Sequence, residues 1–387
     1  MILGIDASNI RDGGGVTHLV ELLGAVQQLS HGFERVVVWA SRSTLGRIED
    51  RPWLYKRTDR LLEGHYIHRV WWQRNSLGKA LRVESCDLLF VPGGTIVTNF
   101  RPVVTMSRNL LPFEWRELRR YSRRPMALRL MLIRWAQSRS FRKASGVIFL
   151  TFCAQASVLK VAGRLNGRTA IIPHGIGGEF FQQPRPQRPL AEYSAQRPLR
   201  LVYISTVDFY KHQWYVAGAV AKLRREGLPV VLDLIGPAYP PALRRLRRAL
   251  YRVDSTGEFI RYLGRVPYKE LPSHYQAADI YVFASSCENL PNVLLEAMAS
   301  GVPIASSNKG PMSEVLASAG VYFDPEKPTS IADSLRQLIE DPELRTRKAW
   351  ASYERARRYS WRRCADETLG FLADVAADEH CAPRSAT

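Results

Sequence analysis

The sequence is poor in cysteine and has no long apolar run. Its 387 residues include five cysteines, and none of them forms a Cys-x-x-Cys pair. Scattered cysteines argue against a disulfide framework and a zinc site, and they favour a reducing compartment. No apolar stretch reaches the ~20 residues of a membrane-spanning helix. The chain also enters a strand at Ile2 without the basic and apolar regions of a signal peptide. We therefore expect a cytoplasmic protein.

Acidic residues are few relative to basic ones. Lys and Arg number 55 against 36 Asp and Glu, which gives a net charge of +19. Hydrophobic residues make up 46% and charged residues 24% of the chain, which is ordinary for globular proteins. The length allows roughly two or three domains. The excess charge therefore indicates an anionic partner rather than disorder.

Much of the positive charge lies in residues 116–143, interleaved with apolar residues such as Trp115, Leu132 and Trp135. Pro125 predicts a division of this segment into two helices. Basic amphipathic helices with Trp and Leu are typical of proteins at anionic membrane surfaces. Nucleic acid is a competing partner, but no nucleic-acid-binding motif accompanies the charge, and we expect none to bind. A solvated basic face over ordinary core packing is the third interpretation. The basic residues are Arg116, Arg119, Arg120, Arg123, Arg124, Arg129, Arg134, Arg139, Arg142 and Lys143.

Short apolar runs alternate with helical segments along both halves of the chain, a pattern that predicts parallel βαβ units and an α/β fold. The polar, proline-rich stretch 182–189 indicates a linker between the halves. The predicted strands are Ile2–Asp6, Arg35–Trp39, Leu88–Val91, Pro102–Thr105, Gly146–Leu150 and Thr169–Ile172, then Leu199–Ile204, Val230–Ile235, Phe259–Tyr262, Asp279–Phe283 and Pro303–Ser306.

The segment 287–303 is the most informative motif. It reads Cys-Glu-Asn-Leu-Pro-Asn-Val-Leu-Leu-Glu-Ala-Met-Ala-Ser-Gly-Val-Pro and contains Glu288 and Glu296. Pro291 suits the first turn of a helix, which places Glu288 in the preceding loop and Glu296 inside the helix. Amide groups of the first turn suit a phosphate, and the deeper carboxylate suits two neighbouring hydroxyls, as in a ribose. Two solvated glutamates on an amphipathic helix are the alternative interpretation.

Residues 260–330 resemble the donor-binding half of a GT-B glycosyltransferase of family 4. The hallmark of that family is Glu-x7-Glu followed by Ala-x-Ala/Ser-x-Gly-x-Pro, which the segment 288–303 matches. The resemblance implies two Rossmann-like domains that face a central cleft, with a last helix that crosses back to the first domain. It implies that Glu288 contacts the donor sugar and Glu296 the ribose, with Asn289, Leu290, Pro291 and Asn292 also on the donor side.

The resemblance also divides the chain. We predict an acceptor-side domain over residues 1–183, a linker over 184–198 and a nucleotide-sugar-binding domain over 199–355. The helix that returns to the first domain is predicted over 356–375, and a flexible tail over 376–387. Tyr359-Ser360-Trp361 is similar to the closing segment of the family.

Three further segments match donor-binding positions of the family. Gly14 and Gly15 lie in a glycine-rich turn that resembles the loop reaching the donor diphosphate, although a simple chain reversal would also use such glycines. Lys211 follows the first strand of the second half, where relatives carry an Arg…Lys pair, but Ser205 replaces the arginine. Arg265 and Val266 match a loop that meets the nucleotide base. A surface lysine is the alternative for Lys211.

The acceptor half departs from the family pattern because no histidine follows its fourth-strand region. Arg108 and Asn109 occupy the matching stretch, and we expect them to hold the sugar or the acceptor. His18 is interpreted as a packing or capping residue, and His174 as part of a structural turn.

These observations predict a glycosyltransferase that transfers a sugar from a nucleoside diphosphate to a glycan or lipid-linked acceptor. The resemblance implies that the transfer retains the configuration of the sugar. No two aspartates stand two positions apart, so the commonest signature of a metal for the diphosphate is missing, and we expect neither metal nor cofactor. Lys211 and Glu288 are the predicted catalytic residues. The basic segment suggests a peripheral location at the inner face of the cytoplasmic membrane. A sugar-nucleotide epimerase and a non-catalytic sugar-nucleotide or nucleic-acid-binding protein are the alternatives. The nucleotide, the sugar and the oligomeric state stay open.

Overall fold

A computed structural model describes residues 1–121 and 125–381 of the chain. These residues divide into two units. The first contains residues 1–118, 125–175 and 360–381, and the second contains residues 119–121 and 176–359. None of the described helices combines the length and the apolar composition that crossing a bilayer requires.

The first unit is built on a seven-stranded parallel sheet. Its strands are β1 (Ile2–Asp6), β2 (Arg35–Trp39), β3 (Leu54–Arg57), β4 (Leu88–Val91), β5 (Val103–Met106), β6 (Gly146–Phe149) and β7 (Arg168–Ile171). They lie in the order β3-β2-β1-β4-β5-β6-β7, so the strand order reverses between β1 and β4. Strands β4, β5 and β6 are apolar and fully buried, as in sheets that helices cover on both faces.

Within residues 1–118 and 125–175, the first unit has eight helices. They are α1 (Gly14–Gly24), α2 (Arg42–Leu45), α3 (Arg60–Glu63), α4 (Tyr66–Asn75), α5 (Leu77–Val83), α6 (Trp115–Leu118), α7 (Pro125–Lys143) and α8 (Phe152–Ala162). Helix α1 buries Leu19, Leu22 and Leu23, whose spacing places them on one side of a helix. A 3-10 turn spans Leu111–Phe113.

The second unit has a six-stranded parallel sheet. Its strands are β8 (Leu199–Ile204), β9 (Val230–Ile235), β10 (Ile260–Gly264), β11 (Ile280–Phe283), β12 (Ile304–Ser307) and β13 (Val321–Phe323). The order is β10-β9-β8-β11-β12-β13, with its reversal between β8 and β11. Ligands of open parallel sheets bind beyond the carboxyl ends of the strands at such a reversal.

Seven helices belong to the second unit: α9 (Gln213–Arg225), α10 (Pro240–Val253), α11 (Leu271–Ala277), α12 (Asn292–Ala299), α13 (Met312–Leu316), α14 (Pro328–Glu340) and α15 (Pro342–Ala356). Short 3-10 turns span Arg119–Tyr121, Gly178–Phe180, Leu190–Glu192, Phe209–Lys211, Tyr268–Glu270 and Ala317–Ala319.

The last helix, α16 (Trp361–Cys381), is part of the first unit. It packs against α1 and β4 and buries Leu372 and Val375. Arg168 forms ion pairs with Asp374 and Asp378 of this helix. The predicted architecture, two Rossmann-like domains with a last helix that returns to the first, is confirmed.

The limits of the predicted domains differ from those of the structure. The first unit ends its main segment at Gly175, not at residue 183. The predicted linker 184–198 belongs to the second unit, because Arg185 and the Tyr193 hydroxyl donate hydrogen bonds to one oxygen of Asp279 at 2.7 and 2.9 Å. The tail predicted from residue 376 is wrong at its start, since α16 continues to Cys381 and Ala376 is fully buried.

Candidate functional site

In the second unit, the loops after β8 and β11 bring Lys211 and Glu288 together. The Nζ atom of Lys211 donates a hydrogen bond to Oε1 of Glu288. The two side chains are only 8% and 13% exposed, so the lysine is not a surface residue. The rings of Tyr210 and Phe283 lie 5.0 and 5.4 Å from the ammonium group. Lys211 and Glu288 thus form an ion pair that is largely buried from solvent, at the point where the strand order of the sheet reverses.

Hydrogen bonds fix the two loops to each other. The backbone carbonyl of Tyr210 accepts from the amide of Ser286 at 2.8 Å. The backbone carbonyl of Lys211 accepts from the Tyr203 hydroxyl at 2.6 Å. His212 has a left-handed backbone with φ of 55°, and its Nε2 lies 2.9 Å from Oγ of Ser286. A strained residue directly after Lys211 is held in place by these contacts, as is common at functional sites.

Glu296 lies one turn inside α12 and is 5% exposed. Each carboxylate oxygen accepts a hydrogen bond at 3.1 Å, one from the Tyr268 hydroxyl and one from the Tyr275 hydroxyl. Burial raises the pKa of Glu296 to about 7, although the two tyrosine hydrogen bonds oppose this shift and the charge of Glu179 adds to it. The carboxyl group therefore titrates near neutral pH, and its oxygens have lone pairs left for other donors.

Helix α12 begins one residue later than predicted. Pro291 is the N-cap residue with an extended backbone, and Asn292 is the first helical residue. Asn289 and Leu290, in the loop before it, are 6% and 7% exposed. Gly310, in the turn after β12, has φ of +59°, and a Cβ there would lie 3.7 Å from the Glu288 amide nitrogen. The predicted donor-binding residues 289–292 therefore connect Glu288 to the first residue of α12.

The remaining residues that were predicted on the donor side lie after β8 and β10. Ser205 follows β8 and is 6% exposed, whereas Arg265 is exposed and Val266 half-buried after β10. Gly236, after the intervening β9, has φ of +138°, and a Cβ there would lie 2.3 Å from the Ser205 carbonyl oxygen. The structure therefore places all three predicted residues at the same edge of the sheet as Lys211.

In the first unit, the glycine loop and Arg108 come together at the ends of β1 and β5. Gly13 precedes α1 with φ of 66°, a conformation that favours glycine. The Arg108 guanidinium donates to the carbonyl of Gly14, and a Cβ on Gly15 would lie 3.1 Å from its Nη1. Partial burial lowers the pKa of Arg108 to about 10. The exposed Asn109 accepts a hydrogen bond from the Leu111 amide at 3.1 Å, which opens a 3-10 turn.

Two histidines of the first unit pack against one another. The rings of His18 and His174 are 4.8 Å apart, and Trp361 of α16 lies within 5.8 Å of both. Burial, with nearby positive charge, lowers the pKa of His174 to about 3 and that of His18 well below its usual value. Both rings are therefore neutral at physiological pH. Over residues 1–121 and 125–381, no group of three or more His, Cys, Asp or Glu residues could hold a metal ion.

Residues 191–357 match the model of glycosyl transferases group 1. This segment of the chain is therefore similar to the group 1 glycosyltransferases. The matching segment covers the second unit from before β8 to α15, so it includes Lys211, Glu288 and Glu296.

The chain is also similar in sequence to curated proteins and in fold to solved structures. The chain is 35% identical over 111 residues to the O-antigen chain mannosyltransferase B of Escherichia coli, 29% of each protein. The chain is similar in fold to sucrose-phosphate synthase from Thermosynechococcus elongatus, with a TM-score of 0.76 at 17% identity over 98% of this chain and 100% of that one. It is also similar to Anabaena HepE in complex with UDP and glucose, with a TM-score of 0.67 at 18% identity over 97% and 100% of the two chains.

The tyrosines around Glu296 and Lys211 were not identified from the sequence. Tyr268 and Tyr275 donate hydrogen bonds to Glu296, and Tyr203 donates one to the backbone carbonyl of Lys211. Tyr268 lies two residues after Val266, but its contact with Glu296 is visible only in the three-dimensional structure. The sequence signal for such hydrogen-bond partners is limited to the presence of a tyrosine near a segment that matches the family.

Proposed function

We propose that this protein is a retaining glycosyltransferase that moves a sugar from a nucleoside diphosphate to a glycan or lipid-linked acceptor without a metal or other cofactor. The observation that carries the proposal is the nearly dry Lys211–Glu288 pair, which lies beside α12 at the strand reversal of a group 1 glycosyltransferase domain. Retention of configuration is taken from the family resemblance.

Donor binding exchanges the partners of the ion pair. Before binding, Lys211 and Glu288 neutralise each other in surroundings that water barely reaches. The donor diphosphate offers Lys211 a stronger anion, and Glu288 is then released to accept hydrogen bonds from the sugar hydroxyls. The first turn of α12 supplies further amide groups for the diphosphate. Glu296 accepts hydrogen bonds from the ribose hydroxyls, in addition to those from its two tyrosine partners or in place of them.

The transfer breaks the bond between sugar C1 and the diphosphate oxygen, and it forms a bond from C1 to the acceptor oxygen on the same face. The proton of the acceptor hydroxyl passes to the departing diphosphate. Lys211 stabilises the negative charge that develops there, and the glycine loop with Gly14 and Gly15 is the first unit's proposed contribution. Arg108, held on that loop, and Asn109 are proposed to orient the sugar or the acceptor.

The acceptor is proposed to be presented at an anionic membrane surface, at the inner face of the cytoplasmic membrane. Helix α7 has four exposed apolar side chains at helical spacing, Leu128, Met131, Leu132 and Trp135, which are 64%, 48%, 60% and 64% exposed. Arg129, Arg139, Arg142 and Lys143 are exposed on the same helix. Apolar and basic groups on one exposed helix complement the interior and the charge of an anionic headgroup layer. The relative named as an O-antigen mannosyltransferase supports a polysaccharide acceptor.

Not all of the basic segment is available to a membrane. Arg120 forms an ion pair with Glu326, and residues 119–121 belong to the second unit. Arg123 and Arg124 lie outside the described residues. The proposed membrane contact is therefore α7 itself.

A donor panel tests the proposal. Purified protein is mixed with UDP-, GDP- and dTDP-sugars, and the shift of its melting temperature is measured for each. We expect one nucleotide class to raise the melting temperature in the wild type and not in Lys211→Met. Release of nucleoside diphosphate in the presence of a membrane extract then reports transfer. If no sugar nucleotide shifts the melting temperature, the proposal is wrong.

A further inference from the structure

Two arginines without acidic partners meet at the carboxyl edge of the first sheet, in a cluster to which no function has been given. Arg11 follows β1, and Arg69 lies on α4. Arg69 donates to the backbone carbonyl of Ser8 at 3.4 Å, and Arg11 donates to that of Leu62. Among the described residues, both guanidinium groups thus donate their hydrogen bonds to backbone carbonyls around the loop that leads to the glycine turn.

The charges of this pair are not neutralised. Within the described part of the chain, neither arginine lies within 4.0 Å of a carboxylate oxygen, and both are half-buried. Burial lowers the pKa of Arg69, and the positive charge of Arg11 lowers it further. Two like charges, partly removed from water and close enough to repel each other, are unfavourable until an anion joins them.

Polar atoms around the arginines lack hydrogen-bond partners as well. The Ser8 hydroxyl, the Asn9 side-chain oxygen and the Nε atoms of Arg11 and Arg69 are buried and unpaired. Ser8 is fully buried. Since buried polar groups in proteins are almost always hydrogen-bonded, this many in one loop and the adjacent helix indicate a site that a polar ligand completes.

We infer that Arg11 and Arg69, with Ser8, bind a phosphate group of the acceptor. This inference rests on the proposed function, because it assigns the donor phosphates to Lys211 and leaves these arginines for the other substrate. Guanidinium groups match phosphate with paired N–H bonds. The Tyr66 ring, 59% exposed, lies 5.8 Å from the Arg69 guanidinium and offers a face for an adjoining sugar ring. The phosphate belongs either to a soluble sugar phosphate or to a lipid-linked carrier.

Binding of inorganic phosphate, followed by 31P line broadening, tests the site. We expect the variant Arg11→Gln/Arg69→Gln to bind phosphate at least tenfold more weakly than the wild type. Arg74→Gln, an exposed arginine on the same helix, is the matched control and is expected to bind like the wild type. Lys211→Met separates the two sites: unchanged phosphate binding is expected. The inference is overturned if phosphate binding survives in the double variant, or is lost only in Lys211→Met.

Thermal unfolding distinguishes a ligand site from a structural role. Without phosphate, Arg11→Gln/Arg69→Gln is expected to melt at or above the wild-type temperature, because the variant removes two repelling charges. Phosphate is expected to raise the melting temperature of the wild type only. A lower melting temperature of the variant without phosphate, together with an equal response to phosphate, would show that the arginines only support the fold.

Competition identifies the source of the phosphate. A hexose phosphate in solution and a polyprenyl phosphate in zwitterionic vesicles are each tested for displacement of inorganic phosphate. If either compound displaces inorganic phosphate, the inference is supported and the class of acceptor is identified. If both compounds fail to displace it, the assignment of the site to an acceptor is overturned. The donor panel is independent of this result, so each proposal fails on its own measurement.

Discussion

Lys211 and Glu288 form an ion pair across the strand reversal of the second sheet, although 77 positions separate them in the chain. Neither side chain is in free contact with water, and the adjacent loops are fixed by backbone hydrogen bonds. The pair is therefore a preformed polar site that is neutral before a ligand arrives.

Removing one partner of this pair is expected to destabilise the protein. Lys211→Met leaves Glu288 as an unpaired, nearly buried charge, and we expect a loss of about 3 kcal/mol in the free energy of unfolding. The double variant Lys211→Met/Glu288→Gln is expected to lose less than the two single variants together. Urea unfolding of all three measures this. If the loss of the double variant equals the sum of the losses of the two single variants, the two side chains do not interact.

The two glutamates are expected to differ in what they bind. Glu296→Ala is expected to weaken nucleoside diphosphate binding by about 1–3 kcal/mol, because the ribose loses its acceptors in a buried place. Glu288→Ala is expected to reduce turnover more than nucleoside diphosphate binding, since its contact is with the sugar. Calorimetry with the free nucleoside diphosphate and turnover with the full donor separate these effects. A similar loss of affinity in both variants would contradict the assigned roles.

The raised pKa of Glu296, about 7, predicts two pH effects. The folded carboxyl group holds its proton above the usual value of 4.5, so its contribution to stability is complete below pH 4.5 and is lost as pH rises through 7. Donor binding has the opposite trend, because the charged carboxylate accepts ribose hydroxyls better. Between pH 6 and pH 8 the charged fraction, and with it donor affinity, should rise about tenfold.

The variant Glu296→Gln is the control for both effects. Its unfolding free energy and its affinity for a nucleoside diphosphate sugar are measured at pH 6 and pH 8 beside the wild type. We expect the difference between the two proteins to change with pH in stability and in affinity. A pH dependence that persists unchanged in Glu296→Gln would assign it to another group.

Transfer is expected to continue without a divalent metal. The proposed charge stabilisation comes from Lys211 and from amide groups, so EDTA should leave the rate of nucleoside diphosphate release largely unchanged. Rates are compared with and without chelation, and after addition of Mg²⁺ or Mn²⁺. Abolition by EDTA and recovery with one of these ions would refute the metal-independent mechanism.

The exposed side of α7 is expected to bind anionic vesicles. Leu132→Gln/Trp135→Gln removes two apolar contacts, each of which contributes up to about 2 kcal/mol when buried in lipid, so sedimentation with vesicles should fall at least tenfold. Tyr251→Gln, a residue that is 75% exposed in the second unit, is the matched control. Binding should also weaken with salt, because salt screens the basic residues. Equal sedimentation of variant and control would show that α7 is only a solvated surface.

The sequence was sufficient for the buried strands and for the edge strands β7 and β10, but not for the edge strands β3 and β13. Strands β1, β2 and β4 were predicted with their observed limits, because their apolar residues form continuous runs. Strand β3 was missed, since Leu-Tyr-Lys-Arg buries only Leu54, and β13 has only three residues. An edge strand is defined by its hydrogen bonds to a neighbour, which composition does not reveal.

For the candidate site, too, the sequence indicated the residues that lie within one motif but not the contacts between separate segments. The motif of residues 288–303 indicated both glutamates, and the loop after β8 indicated Lys211. The contacts of Glu296 with Tyr268 and Tyr275, and of Arg11 with Leu62 of α3, join residues that are separated along the chain. Such contacts depend on strand order, and a single sequence contains no direct record of it.

Helix α16 lies late in the chain but packs into the first unit, whose other elements come from the amino-terminal half. Because Leu372 and Val375 complete the interior beside α1 and β4, the first unit lacks part of its core until residues 361–381 have been synthesised. On the ribosome the amino-terminal unit therefore finishes folding after the unit that follows it in sequence. Loss of residues 361–381 would expose the apolar surface of α1 and β4 that α16 covers, and aggregation would begin there.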